Sequence, residues 1–232
     1  MYSLRWFTPG GEVRLCGHAT LGAAHALWEE GRVDSSVPIK FSTASGVLTC
    51  RRDEKGWVSM DFPAEVVGPP LEAEDESRRA IVEALCLEQE SVLFVGRNRH
   101  DIMVEASITP EAFADLQPDI RLLVAIETRG VIVTCATNQN DGDNHGIGTE
   151  GVDFRSRFFA PRLGIDEDPV TGSAHCCLGP YWSSKLGRDY LVGYQASPRG
   201  GKVRVAIGRG AENGRVELKG KAVTIIQGLF RR

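Results

Sequence analysis

Short runs of alternating apolar and polar residues dominate the first third of the chain. Ile39 to Thr43, Val47 to Arg51 and Trp57 to Phe62 predict strands, with Asp53-Glu54-Lys55-Gly56 as the turn between the last two. Pro63 and the pair Pro69-Pro70 close that run. Ahead of it, Leu21 to Glu30 is rich in alanine and leucine, and its small side chains fall on more than one face of a helix, which predicts a helix enclosed by sheet. Beyond it, Ala80, Ile81, Ala84 and Leu85 recur at helical spacing among charged neighbours, so Glu74 to Leu87 should be an amphipathic surface helix. Ser91 to Val95 and Asp101 to Glu105 read as paired strands, and Thr109 followed by Pro110 and Glu111 as a helix start. Leu122 to Glu127 and Val131 to Ala136 read as further strands.

The order of these elements repeats. Arg5-Trp6-Phe7-Thr8-Pro9 leads into Gly17-His18-Ala19-Thr20, and Arg157-Phe158-Phe159-Ala160-Pro161, 152 residues later, leads into Gly172-Ser173-Ala174-His175. Each copy continues into a small-residue helix, a Ser/Gly turn (Ser42 to Gly46, Ala196 to Gly201) and two strand-like runs. Two like halves set face to face make a cleft lined twice by one motif. The expected division is lobe one over 1–118 and lobe two over 119–232, with a boundary near Gln117-Pro118. The second copy is preceded by the strand candidate Gly130 to Ala136, whereas the first begins at residue 5, so lobe one is expected to be N-terminally incomplete.

Composition narrows the ligand. A net charge of −4, with basic residues scattered through 232 positions, leaves no footprint for nucleic acid or an anionic membrane surface. The N-terminus has no apolar signal region and no segment is long enough to span a bilayer, so the expectation is a cytoplasmic protein binding a small molecule. Six cysteines without C-x-x-C spacing suit neither a zinc ribbon nor a disulfide scaffold. Asp141, Asp143 and Asn144 lie in a polar, glycine-rich stretch from Asn138 to Gly151, but their spacing does not fit a calcium loop, and no metal site is expected.

Candidate chemistry gathers at the repeated motif. Gly17 and Gly172 each stand where the chain turns into a helix, so backbone can approach a ligand closely while first-turn N–H groups point outward. Two such helix starts would hold a small carboxylate without a charged side chain. His18 is the candidate proton carrier. Asp168, held by the following Pro169, could accept from a substrate amine or orient His18, while Asp166 and Glu167 are expected to be solvated. Ser173 takes the position of His18 in the second copy and could donate to a bound carboxylate or cap its own helix. His25, His100 and His145 are expected to be structural. Cys16 precedes Gly17, but its symmetric partner is Thr171, too weak a base for a two-thiol racemase.

These residues resemble the phenazine-biosynthesis-like (PhzF-type) isomerases, relatives of diaminopimelate epimerase and proline racemase, and particularly their animal members. The resemblance rests on Leu4 to Pro9, Glu12-Val13, Leu15 to Leu21 and Glu167 to His175, extended by Tyr181-Trp182, Leu186-Gly187, Gln195 to Ser197 and Arg199 to Gly201. It implies an α+β fold of two pseudo-symmetric lobes, each a curved, mostly antiparallel sheet around a central helix. It implies cofactor-free isomerisation of a small carboxylated substrate, with His18, Asp168 and Ser173 on active-site positions and Gly17 and Gly172 on the helix termini that hold the substrate. The family's main acid/base glutamate sits in an Asn-Leu-Ser-Glu-Thr-Ala-Phe segment upstream of the first motif, and these 232 residues contain no such segment. The expectation is therefore an isomerase scaffold with little activity in this form, or else a non-catalytic binding protein using the cleft or an exposed sheet edge. A homodimer or a protein partner is compatible with either.

Overall fold

The computed structural model describes residues 1–8, 11–137, 151–208 and 214–228. The chain enters through β1 (Tyr2–Ser3), β2 (Trp6–Thr8) and β3 (Gly11–Val13), and continues into helix α1 (Gly17–Glu29) and strands β4 (Ile39–Thr43), β5 (Gly46–Arg52) and β6 (Val58–Pro63). Helix α2 (Glu76–Ala84), hairpin strands β7 (Val92–Arg97) and β8 (Asp101–Ala106), and short helices α3 (Pro110–Ala114) and α4 (Ile120–Ala125) follow. The remainder is β9 (Gly130–Ala136), β10 (Phe154–Phe159), helix α5 (Gly172–Leu186), β11 (Tyr190–Gln195), β12 (Gly201–Ile207) and β13 (Arg215–Gly220). Of the polar stretch Asn138 to Gly151, residues 138–150 lie outside the described residues, His145 among them.

Eleven strands form one mixed sheet in the order β1-β4-β5-β6-β13-β12-β11-β10-β9-β8-β7, and β2 with β3 forms a separate ribbon. Pairing is antiparallel except at β1–β4, β8–β9 and β10–β11. Tyr2 stands opposite Phe41, and Phe154 opposite Gly193; both members of the second pair lie 152 residues beyond those of the first. The sheet runs unbroken through β6 and β13. Inside the 1–118 span, β8 pairs with β9 and β7 with β8, so both stand at the end of the sheet away from β4–β6.

The stretch Leu122–Glu127, expected as a strand, is a helix over most of its length. Asp119 caps α4 by accepting from the amides of Arg121 and Leu122, and Leu123 is buried while Leu122 and Val124 face outward. A short apolar run fits either period, and here the cap decides. The capped start at Thr109 forms as expected, its hydroxyl accepting from Ala112 N–H at 3.2 Å.

Two apolar clusters fill the interior. One joins α5 and the inner stripe of α1 to the sheet through Trp28, Phe41, Phe62, Phe154, Trp182 and Leu218. The other packs α2, α3 and α4 on β7–β9 through Ile81, Leu85, Val104, Phe113, Leu123 and Val133. The expectation of an enclosed Ala-rich helix fails for α1, which buries one stripe (Gly17, Thr20, Ala24, Trp28) and leaves Gly22 and Ala26 exposed. It describes α5 instead, where Ala174 through Gly179 are buried without interruption. Pro180 lies inside α5, and its missing N–H frees the Cys176 carbonyl, which accepts the Glu65 amide at 3.0 Å and so ties the exit of β6 to the helix.

Candidate functional site

The starts of α1 and α5 meet. A Cβ placed on Gly17 would lie 3.2 Å from the Gly172 Cα, and one on Gly172 would lie 3.2 Å from the Gly17 Cα, so only glycine lets these two backbones touch without displacement. Helices α2, α3 and α4 have their first amides satisfied by Asp75, Thr109 and Asp119. The caps of α1 and α5, Cys16 and Thr171, make no such side-chain bond. The two central helices thus bring unspent N–H groups and the positive ends of their dipoles to one point.

Matching hydrogen bonds hold the two starts. Ser45 Oγ donates to the Arg14 carbonyl at 2.8 Å and Ser197 Oγ to the Pro169 carbonyl at 2.7 Å, two residues before each cap. Thr20 Oγ1 donates to the Cys16 carbonyl at 2.7 Å, and His175 Nδ1 lies 2.8 Å from the Thr171 carbonyl. In the second copy alone, the buried Gln195 side chain also accepts from Thr171 N–H at 2.7 Å and donates to the Asp168 carbonyl at 2.5 Å.

A cavity of about 650 Å³ opens over this junction, and Gly17, His18, Asp168, Gly172 and Ser173 all line it. His18 Nε2 lies 3.6 Å from Cys16 Sγ. That hydrogen bond holds His18 above its ordinary pKa, against the opposing effect of burial and with help from the Asp168 charge. Asp168 does not bond to His18; its carboxylate accepts the Thr171 hydroxyl, so it acts on His18 through its field. Ser173 does not cap α5. Its Oγ accepts from Arg129 Nη2 at 3.1 Å. One further expectation is corrected: Glu167 is not solvated but is 15% exposed and holds the buried Arg157. His100 lines the cavity.

Arg129 and Asp101 are cavity residues that sequence reasoning misses. Asp101 opens β8, Arg129 immediately precedes β9, and the β8–β9 register places Asp101 opposite Gly130, so a part-buried ion pair forms at the cavity wall. Nothing in the linear sequence marks a pair 28 residues apart whose contact depends on a parallel register. Cys16 likewise lines the cavity and is half-buried. Among the described residues, no cluster of three or more His, Cys, Asp or Glu side chains is placed to hold a metal ion, and no helix is long and apolar enough to cross a membrane.

Comparison with known proteins supplies a frame for this junction. The chain is 42% identical to an uncharacterized isomerase of Halalkalibacterium halodurans over 97% of its length and 77% of the relative's. It is 37% identical to phenazine biosynthesis-like domain-containing protein 2 of Mus musculus, over 98% of this chain and 76% of that one. The crystal structure of a putative phenazine biosynthesis PhzC/PhzF protein from Clostridium difficile superposes with a TM-score of 0.77 at 33% identity, covering 99% of this chain and 78% of the other. The family model for phenazine biosynthesis-like proteins (PhzC-PhzF) matches residues 1–228, spanning both glycine-led helix starts and the cavity over their junction, and the chain belongs to that family.

Proposed function

We propose that the cavity over Gly17 and Gly172 is the active site of a cofactor-independent isomerase that moves a proton between carbons of a small carboxylated substrate. The observation that carries this reading is the abutment of two uncapped helix starts, 3.2 Å from a virtual Cβ to the facing Cα. A carboxylate at that point would accept first-turn N–H groups from both helices and sit in both dipoles. His18 is the proton carrier on one side of the bound carbon. The raised pKa conferred by Cys16 lets it hold a proton for donation, and the Asp168 field stabilises the charged ring. Ser173 donates to the carboxylate from α5.

The proposal extends to architecture. The two halves are pseudo-symmetric lobes of one duplicated unit, supported by the shared 152-residue offset of β1–β4 and β10–β11 and by the paired serine and cap-carbonyl bonds. It also extends to activity. The family resemblance assigns the main acid/base to a glutamate segment that these 232 residues do not contain. On that reading the 232 residues bind substrate but turn it over slowly. The open face of α1 and the exposed Val223, Ile225 and Ile226 beyond β13 favour the second reading, a non-catalytic protein that engages a partner.

The test is hydrogen exchange into a panel of small carboxylates in D2O, followed by mass spectrometry, for the chain with and without the family's upstream segment. Exchange that appears with the segment and is lost in His18→Ala supports the isomerase. No exchange in either form supports the binding protein.

A further inference from the structure

The Ser173 hydroxyl carries one proton and two lone pairs, and its neighbours determine how it uses them. Arg129 Nη2 donates to Ser173 Oγ at 3.1 Å, and among the described residues that is the hydroxyl's sole hydrogen bond. An oxygen that accepts from a cation keeps its own O–H free to donate, and the charge polarises that O–H. The guanidinium is not free to swing away. Its Nε donates to Asp101 Oδ1 at 2.8 Å and its Nη2 to Asp101 Oδ2, and the Asp101 side chain is 1% exposed. The Arg129 backbone is fixed as well, its N–H bonding the His100 carbonyl at 3.0 Å. At the next residue, a Cβ on Gly130 would strike the Phe158 ring at 2.4 Å.

We propose that Arg129 is a positioning and specificity residue of the cavity. Clamped by Asp101, it commits Ser173 to donate, so that the α5 side of the site selects an anionic oxygen over a neutral isostere. The inference rests on the reading of the helix junction as a carboxylate site. Because Asp101 compensates the Arg129 charge, the selection works through the direction of the serine proton rather than through added positive charge in the cavity. The α1 side differs in kind, since its corresponding residue is His18 and the His18 partner is the Cys16 thiol.

The experiment is calorimetric titration with benzoate and its neutral isostere benzamide, for the wild-type chain, Ser173→Ala, Arg129→Gln and the double variant. Benzoate affinity is expected to fall about tenfold in each single variant and no further in the double, while benzamide, whose carbonyl accepts the same O–H more weakly, loses less than benzoate in every variant. Arg129→Lys, which keeps charge but loses the fork, should not rescue. If Arg129→Gln unfolds by leaving Asp101 buried and unpaired, Asp101→Asn combined with Arg129→Gln removes both charges and reads the same quantity. Additive losses, or wild-type benzoate affinity after Arg129 is replaced, overturn the proposal and leave the carboxylate site standing. Failure of benzoate to bind the wild-type chain overturns both.

Discussion

Arg5 and Arg157 begin two similar sequence runs 152 residues apart and make the same contacts in opposite surroundings. Arg5 grips Glu12 through two bonds of 2.9 and 2.7 Å with its guanidinium 4.9 Å from the Phe7 ring; Arg157 grips Glu167 at 2.7 and 2.9 Å, 5.0 Å from the Phe159 ring. The first pair is 62% and 41% exposed, the second 6% and 15%. Arg157 also donates to the carbonyls of Phe113, Ala114 and Leu116, binding α3 and its exit to β10. The difference comes from the strands. β2 pairs only with β3 in a ribbon, while β10 lies inside the eleven-stranded sheet between β9 and β11. One local motif therefore serves as surface decoration in one half and as a buried clasp in the other, and geometry alone does not reveal which.

Breaking the two pairs in turn should give the largest contrast. Glu167→Ala leaves a guanidinium buried without its carboxylate and is expected to destabilise by about 3–5 kcal/mol in urea unfolding. Glu12→Ala should leave the unfolding midpoint where it was. Equal losses would mean that the ribbon is as integral to the fold as the central sheet.

The contrast also marks what the sequence makes legible. Strands β4, β5 and β6 and helix α2 follow from local period and turn residues, and the five candidate residues Gly17, His18, Asp168, Gly172 and Ser173, singled out by the repeat and the family resemblance, line one cavity. Burial is a different quantity, set by which strands lie on either side. That is why Glu167 looks solvated in a run of acids and is not, and why α1 looks enclosed and is open. Arg129 with Asp101, and Gln195 with Thr171, depend on register between distant strands and loops, which no window of sequence contains.

A second contrast lies one turn into each central helix. Thr20 and His175 make the same bond to the cap carbonyl, but His175 is titratable and fully buried, with no partner for Nε2 among the described residues. Burial pulls its pKa down to about 4, the bond at Thr171 opposing, against 6.5 in the unfolded chain. A depressed folded pKa means that the neutral ring is tolerated and the charged one is not. Its contribution is complete above pH 6.5, is lost as pH falls toward 4, and is level below that, for a total of about 3 kcal/mol. Replacing His175→Thr, which copies Thr20, should flatten stability against pH across that window relative to wild type. An unchanged slope would show that the histidine is protonated in the fold.

The smallest effects should separate the helices themselves. Gly179 in α5 has no room, since a Cβ there would sit 2.6 Å from Val205 Cγ1 and 3.0 Å from Ile207 Cδ1, whereas a Cβ on Gly22 in α1 meets nothing within 4 Å. Gly179→Ala should cost about 1–3 kcal/mol by forcing α5 off β12, despite the better helix propensity of alanine. Gly22→Ala pays no steric penalty and removes unfolded-chain freedom, so it should stabilise by about 0.5–1 kcal/mol in the same assay. The sign of Gly22→Ala is the sharper measurement, because it depends on whether the outer face of α1 is open in solution. A gain means that α1 stands as described, with one face packed. A loss means that something covers that face, whether a second copy of the chain or another protein, and would turn attention from the cavity to the partner.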